Sequence, residues 1–321
     1  MTLTIAIPVH DDEAFLLRLL GRLARLGCAD QLVVVDDGSP TPLDHAALCA
    51  AATLPADRLT LLRHDTAQGP GIARNVALAH VDSDHLLYLD ADDLPTRELP
   101  PLLADLASQT FDFCIFRHHD TRSEMERRWG PEQLDARLWR AAGTDIGALT
   151  PVGAKAAAAL MQTANYPWNK IYRTDFLRAH DIGCSDLAVH EDIELHWRSF
   201  LAADHILASD RIGVIHFVNA DGDRLTNRLG PERLAVFTAL DRIAAEIATR
   251  EADPLPLALF ALGLIGWIHD HLLPELRPAF ADRARDWLNR HVDPALYPAI
   301  DAARPKIRAD IDQLLVPAAT G

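Results

Sequence analysis

The run His85-Leu-Leu-Tyr-Leu-Asp-Ala-Asp-Asp93 places three carboxylates in four positions at the point where an apolar strand ends. Carboxylates crowded so closely repel one another, and a divalent cation relieves that repulsion. Hard oxygen donors with few accompanying His or Cys side chains favour Mg²⁺ or Mn²⁺ over zinc. For an isolated Asp-Xaa-Asp the plainer reading is an acidic turn capping the next helix. Here the surrounding sequence favours the cation. A second apolar run, Gln31–Val35, also ends in acids, Asp36-Asp37-Gly38-Ser39. Further along, Glu191 and Asp192 open a helical pattern through Leu195, Trp197 and Phe200, a place where the helix dipole favours acids in any case.

The elements needed to position these acids are legible upstream. Leu3–Ile7 reads as a buried strand running into Pro8-Val9-His10-Asp11-Asp12, where Asp11 or Asp12 can cap a helix bearing Phe15, Leu16, Leu19, Leu20, Leu23 and Leu26. Gly27 closes that helix. A third strand, Arg58–Arg63, precedes Gln68-Gly-Pro-Gly-Ile-Ala-Arg-Asn75, a glycine turn opening a helix with Arg74 in its first turns. Uninterrupted apolar strands alternating with helices predict a parallel sheet covered on both faces. In such sheets ligands sit beyond the carboxyl ends of the strands, so Asp36, Asp37, Arg74, Asp90, Asp92 and Asp93 should converge on one crevice.

Taken together, Pro8-Val-His10, Asp36-Asp37-Gly38-Ser39, Gly71-Ile-Ala-Arg-Asn75 and Leu89-Asp-Ala-Asp-Asp93 resemble the family 2 glycosyltransferases of GT-A fold, over about the first 115 residues. Pro167-Trp-Asn-Lys-Ile-Tyr-Arg173, Phe176 and His190-Glu-Asp-Ile-Glu-Leu195 extend the resemblance, to bacterial members that build surface polysaccharides, as far as about residue 218. The resemblance implies an α/β, Rossmann-like nucleotide-sugar-binding sheet. It implies an inverting transferase that uses Mn²⁺ or Mg²⁺ and a nucleoside diphosphate sugar, UDP favoured, with a glycan or glycolipid acceptor. Carried over by residue, Asp192 is the general base, and Asp92 with Asp90 or Asp93 holds the cation on the diphosphate. Arg74 adds positive charge, Asp37 bonds the uracil, and His10 stands where members often carry Tyr against the base. Pro8, Val9, Asp12 and Ala91 complete the donor set, His216 at the end of a strand Ile212–Phe217 is a candidate third metal ligand, and Glu191, Trp168 and Lys170 are supporting residues.

Rival motifs fail on their own residues. Arg74 stands where a dinucleotide fingerprint needs its third glycine, and Asn219-Ala-Asp-Gly-Asp223 departs from a calcium loop at Arg224 and Gly230, so that segment reads as a turn. A nucleotidyltransferase would carry a Gly-rich, Arg-containing loop after the first strand, where this chain has Pro8-Val-His-Asp-Asp12. A non-catalytic sugar-nucleotide-binding protein would keep the nucleotide acids and lose the base, so Asp192 argues against it. A net charge of −15 argues against a nucleic-acid surface. Four scattered cysteines without a Cys-Xaa-Xaa-Cys pair, and an N-terminus that enters a strand at once, imply the cytoplasm, with the inner face of the membrane as a place of association. Residues 1–229 read as the catalytic domain, with a nucleotide-sugar half at 1–115 and an acceptor half at 116–229 that includes a helical element in Thr121–Ala164. From 230 to 321 the pattern is helical, with helices at Pro231–Thr249 and Pro278–Val292. Between them Leu255–Ile268, the most apolar run, predicts packing in a core or a dimer interface, with peripheral membrane contact as the alternative.

Overall fold

The computed structural model describes residues 1–143, 149–218, 229–305 and 307, apart from the side chain of Glu126. The segment Asn219–Asp223 lies outside them. Among the described residues nine strands form one mixed sheet in the order β3-β2-β1-β4-β8-β6-β9-β5, with β7 beside β9. Its parallel half consists of β1 (Leu3–Val9), β2 (Gln31–Asp36), β3 (Leu59–Arg63) and β4 (His85–Tyr88). Helices α1 (Glu13–Leu26), α2 (His45–Ala52) and α3 (Pro70–Ala79) connect these strands. The register sets Val9 opposite Asp36 and Asp36 opposite Arg63, so the acidic strand ends lie in one row.

Beyond β4 the sheet changes direction. It continues through β5 (Leu94–Pro95), α4 (Leu99–Leu106) and β6 (Phe113–Asp120), then α5 (Gln133–Ala142), β7 (Thr150–Pro151) and α6 (Ala154–Leu160). Next come β8 (Lys170–Arg173), α7 (Thr174–Ala179), α8 (Asp192–Ala202) and β9 (Ile206–His216). Strand β8 lies antiparallel between β4 and β6, and β9 runs parallel to β6. The last strand is longer than its apolar pattern predicts. Irregular pairing near Phe116–His118 lets it begin at Ile206 and still reach His216.

Alternation along the strands feeds two cores. Ile5, Ile7, Val34, Leu87 and Phe116 face α1 and α4, while Ala6, Val33, Val35, Tyr88, Phe113 and Tyr172 face α3, α7 and α8. The second core runs on without a break into α9 (Val236–Thr249), α10 (Leu255–His271), α11 (Arg277–His291) and α12 (Tyr297–Ala303). Trp197 of α8 meets Phe260 of α10 with ring centroids 5.3 Å apart. The apolar run in α10 is therefore covered within the chain: Leu257–Leu262, Ile265 and Ile268 are all buried, and only Trp267 near its end is exposed. That burial removes the physical reason for expecting a subunit or membrane contact there. No helix among the described residues is long and apolar enough to cross a membrane.

Candidate active site

The acids converge at the carboxyl edge of the sheet, but they are used in different ways. At the end of β1, Pro8 and Val9 are buried in the strand. His10 is exposed, with its Nδ1 2.7 Å from the carbonyl of Asp37. The expected side-chain cap on α1 is absent: Asp12 closes the helix through its carbonyl, which accepts from the amide of Leu16 at 3.0 Å. The backbone of Asp11, at a φ of 55°, turns toward Ser39, whose hydroxyl accepts its amide at 2.9 Å.

Asp36 and Asp37 are both buried. Asp36 accepts from the amide of Ser39 at 2.9 Å and pairs with Arg63; burial raises its pKa, and these partners outweigh it and hold the carboxyl below its ordinary value. Asp37 spends both oxygens on the following loop. His64 lies 2.7 Å away, and the amides of Gln68 and Gly69 donate at 2.9 and 2.8 Å. Gly38, at a φ of 73°, permits this approach, since a methyl group there would sit 2.6 Å from the amide nitrogen of Ala67. Asp37 thus holds the 64–69 loop.

At the end of β4 the three acids diverge. Asp90 is partly exposed and receives Arg74 Nη2 at 2.6 Å. Ala91 is buried, and Asp92 is partly exposed, its carbonyl accepting from Arg18 at 2.6 Å. Asp93 is fully buried. The antiparallel pairing of β5 with β9 sets Leu94 opposite Ile215 and brings Asp93 beside His216, whose Nδ1 lies 3.0 and 3.1 Å from its two oxygens. The amide of Phe217 donates to the same carboxylate at 3.1 Å. Burial keeps Asp93 above its ordinary pKa; for His216 burial acts downward, and the attraction of Asp93 overcomes it. Trp168 stacks on His216 at 5.0 Å, and Tyr166 stacks on Trp168 at 4.3 Å. The imidazole is therefore held by Asp93 through Nδ1 and by stacked rings on its face. Asp93, a candidate metal ligand by sequence, lies against His216 and fixes the orientation of its ring.

Asp192 is the first residue of α8, and Glu191 precedes it. Burial, and then the charge of Glu191, push the Asp192 carboxyl up to about 7. Glu191 accepts from Arg74 Nη1 at 3.0 Å, so one buried guanidinium bridges Asp90 and Glu191. Lys170 is fully buried: it donates to the carbonyl of Tyr166 and to Asn169 Oδ1, each at 2.7 Å, and burial lowers its pKa to about 7. Arg18, Tyr166 and the positioning contacts of Asn75 carried no advance signal, because their roles arise from elements distant in sequence.

Asp90, Asp92 and His216 offer hard oxygens and one imidazole, a set suited in kind to Mn²⁺ or Mg²⁺. Among the described residues no three His, Cys, Asp or Glu side chains already stand together as a cage.

Residues 4–163 match the model of glycosyl transferase family 2. The chain belongs to this family. Among curated members it is similar to the pre-mycofactocin glycosyltransferase of Mycobacterium tuberculosis, 34% identical over 83% of this chain and 52% of that protein. It is also similar to the undecaprenyl-phosphate 4-deoxy-4-formamido-L-arabinose transferase of Sodalis glossinidius, 27% identical over 45% of each. The chain thus spans about half the length of the curated family members it matches. In fold it is similar to S. aureus TarS 1–349 in complex with UDP-GlcNAc, with a TM-score of 0.73 and 20% identity, covering 98% of this chain and 90% of that one. The family fold, an α/β sheet of GT-A type followed by C-terminal helices, agrees with the architecture above.

Proposed function

We propose that the protein is an inverting, metal-dependent glycosyltransferase that moves a sugar from a nucleoside diphosphate, UDP favoured, to a hydroxyl of a glycan or glycolipid. The observation that carries this reading is the bridge Asp90–Arg74–Glu191, which joins the acidic edge suited to a diphosphate to a helix start carrying a carboxyl with a pKa of about 7. Similarity to a UDP-GlcNAc-bound neighbour supports the donor class, and similarity to a transferase named for a lipid phosphate supports a lipid-linked acceptor.

His10 would cover the base from its exposed position, and Asp37 would shape the base pocket by holding residues 64–69. Asp92, Asp90 and His216 would hold the cation, and Arg74 would set the position of Asp90. When bound, Mn²⁺ or Mg²⁺ supplies Lewis-acid stabilisation of the leaving diphosphate. Asp192 would take the proton of the acceptor hydroxyl as that oxygen forms its bond to the anomeric carbon and the bond to the diphosphate breaks. One displacement from the opposite face inverts that centre.

Acceptor docking is proposed on the 121–166 side. There Trp129 remains 62% exposed while its ring stacks on His119 at 3.7 Å. The unpaired cysteines fit a reducing, cytoplasmic setting.

Asp192→Asn tests the reading. It should retain UDP affinity and lose transfer by roughly 10²-fold or more, the usual contribution of a placed general base. Transfer at the wild-type rate would remove Asp192 from that role.

A further inference from the structure

The Gly71-Ile-Ala-Arg-Asn75 segment makes more contacts to residues 183–191 than a donor-binding role requires. Three of them are independent. A methyl group at Gly71 would lie 2.5 Å from the carbonyl oxygen of Ser185 and 2.9 Å from Glu191 Cβ, so only glycine allows the start of α3 to press against that loop. Arg74 bonds Glu191 at 3.0 Å. The Asn75 amide grips one residue from both sides, donating to the carbonyl of Cys184 at 2.8 Å and accepting its amide at 2.9 Å.

The gripped segment is itself closed, because the amide of Ser185 donates to the carbonyl of Glu191 at 2.8 Å. His190 sits at a φ of 64°, a left-handed conformation that a non-glycine residue holds only when its surroundings impose it. A methyl group at Gly183 would lie 2.6 Å from Asn75 Oδ1, which marks the same close approach from the other side. Asp192 follows directly.

We infer that Gly71, Arg74 and Asn75 form a clamp that positions the 183–191 loop, and with it Asp192, against the donor-side acid Asp90. Asn75 and Arg74 are then positioning residues. This rests on the reading of Asp192 as the base. It gives the motif two tasks, because Arg74 transmits the placement of Asp90 to Glu191 through one rigid guanidinium. A side chain that only contacted a diphosphate would need neither the close approach of Gly71 nor the double hydrogen bond of Asn75.

The test compares the intact chain with Asn75→Ala and Gly71→Ala, which act at opposite ends of the clamp, and with Asn75→Asp, which still accepts the Cys184 amide. Amide exchange of residues 183–192 is measured first. Both disruptive variants should accelerate it by about tenfold or more, as expected when hydrogen bonds holding a loop are lost, with Asn75→Asp intermediate. UDP affinity with Mn²⁺ should stay within about threefold of wild type, because Asn75 lies outside the proposed donor contacts. Hydrolysis of UDP-GlcNAc, with water as acceptor, should lose about 10- to 100-fold in kcat at unchanged KM, the cost of a misplaced catalytic group. Unchanged exchange in both variants overturns the clamp, and so does a loss carried entirely in KM. If the wild type neither binds UDP nor hydrolyses UDP-GlcNAc, the donor reading falls and the exchange result alone decides the clamp.

Discussion

The two acidic strand ends of the parallel half look alike in sequence and behave differently in the fold. At β2, Asp36 and Asp37 are both buried, and their oxygens are committed to Ser39, Arg63, His64, Gln68 and Gly69. At β4, Asp93 turns inward to His216, Asp90 stays partly exposed on Arg74, and Asp92 stays partly exposed beside them. The first pair builds a loop. The second set divides one acid for positioning from two that keep surface. An Asp-Asp pair after a strand therefore marks a place where the backbone needs acceptors, and what lies across the sheet decides whether any carboxylate is left over for a ligand.

Stability measurements can break this comparison most sharply. Asp37→Ala removes the acceptor of the part-buried amides of Gln68 and Gly69 and of His64, and should cost about 1 to 3 kcal/mol, the usual scale for lost hydrogen bonds to a charged group. Asp92→Ala should cost less than Asp37→Ala, because Asp92 is partly exposed where Asp37 is buried. Chemical denaturation of both variants checks this, and equal losses would erase the distinction.

Binding sharpens it next. Asp92→Asn should weaken Mn²⁺-dependent UDP binding by about tenfold or more while melting stays unchanged, in the range seen when metal-site residues are altered. Calorimetric titration with and without Mn²⁺ checks it, and unaltered affinity would return Asp92 to the role of a turn residue.

The smallest effect concerns pH. As the proposed base Asp192 would act deprotonated, and its pKa is raised to about 7 by burial first and Glu191 second, so turnover should rise with pH through about 7. Glu191→Gln removes the second cause while still accepting from Arg74, and should move that acid limb downward by up to about one unit, the scale of a single neighbouring charge. A limb that stays in place would mean that Glu191 does not act on the base.

Much of this is legible in the sequence alone. The period of the apolar residues marked β1, α1, β2 and α3, Gly27 closes α1 at a φ of 59° as its position predicts, and the acids fell at strand ends because turns need such side chains. Local chemistry decides those features, so a sequence carries them. The antiparallel insertion of β8, the register that seats Asp93 beside His216 and the grip of Asn75 on Cys184 depend on residues 84 to 123 positions apart. The same is true of α10, whose apolar surface is satisfied by the chain's own core. Composition and spacing determined which groups could do chemistry. Tertiary packing decided which carboxylates would be spent as internal acceptors, because a buried charge must find its partner wherever the fold brings one within reach.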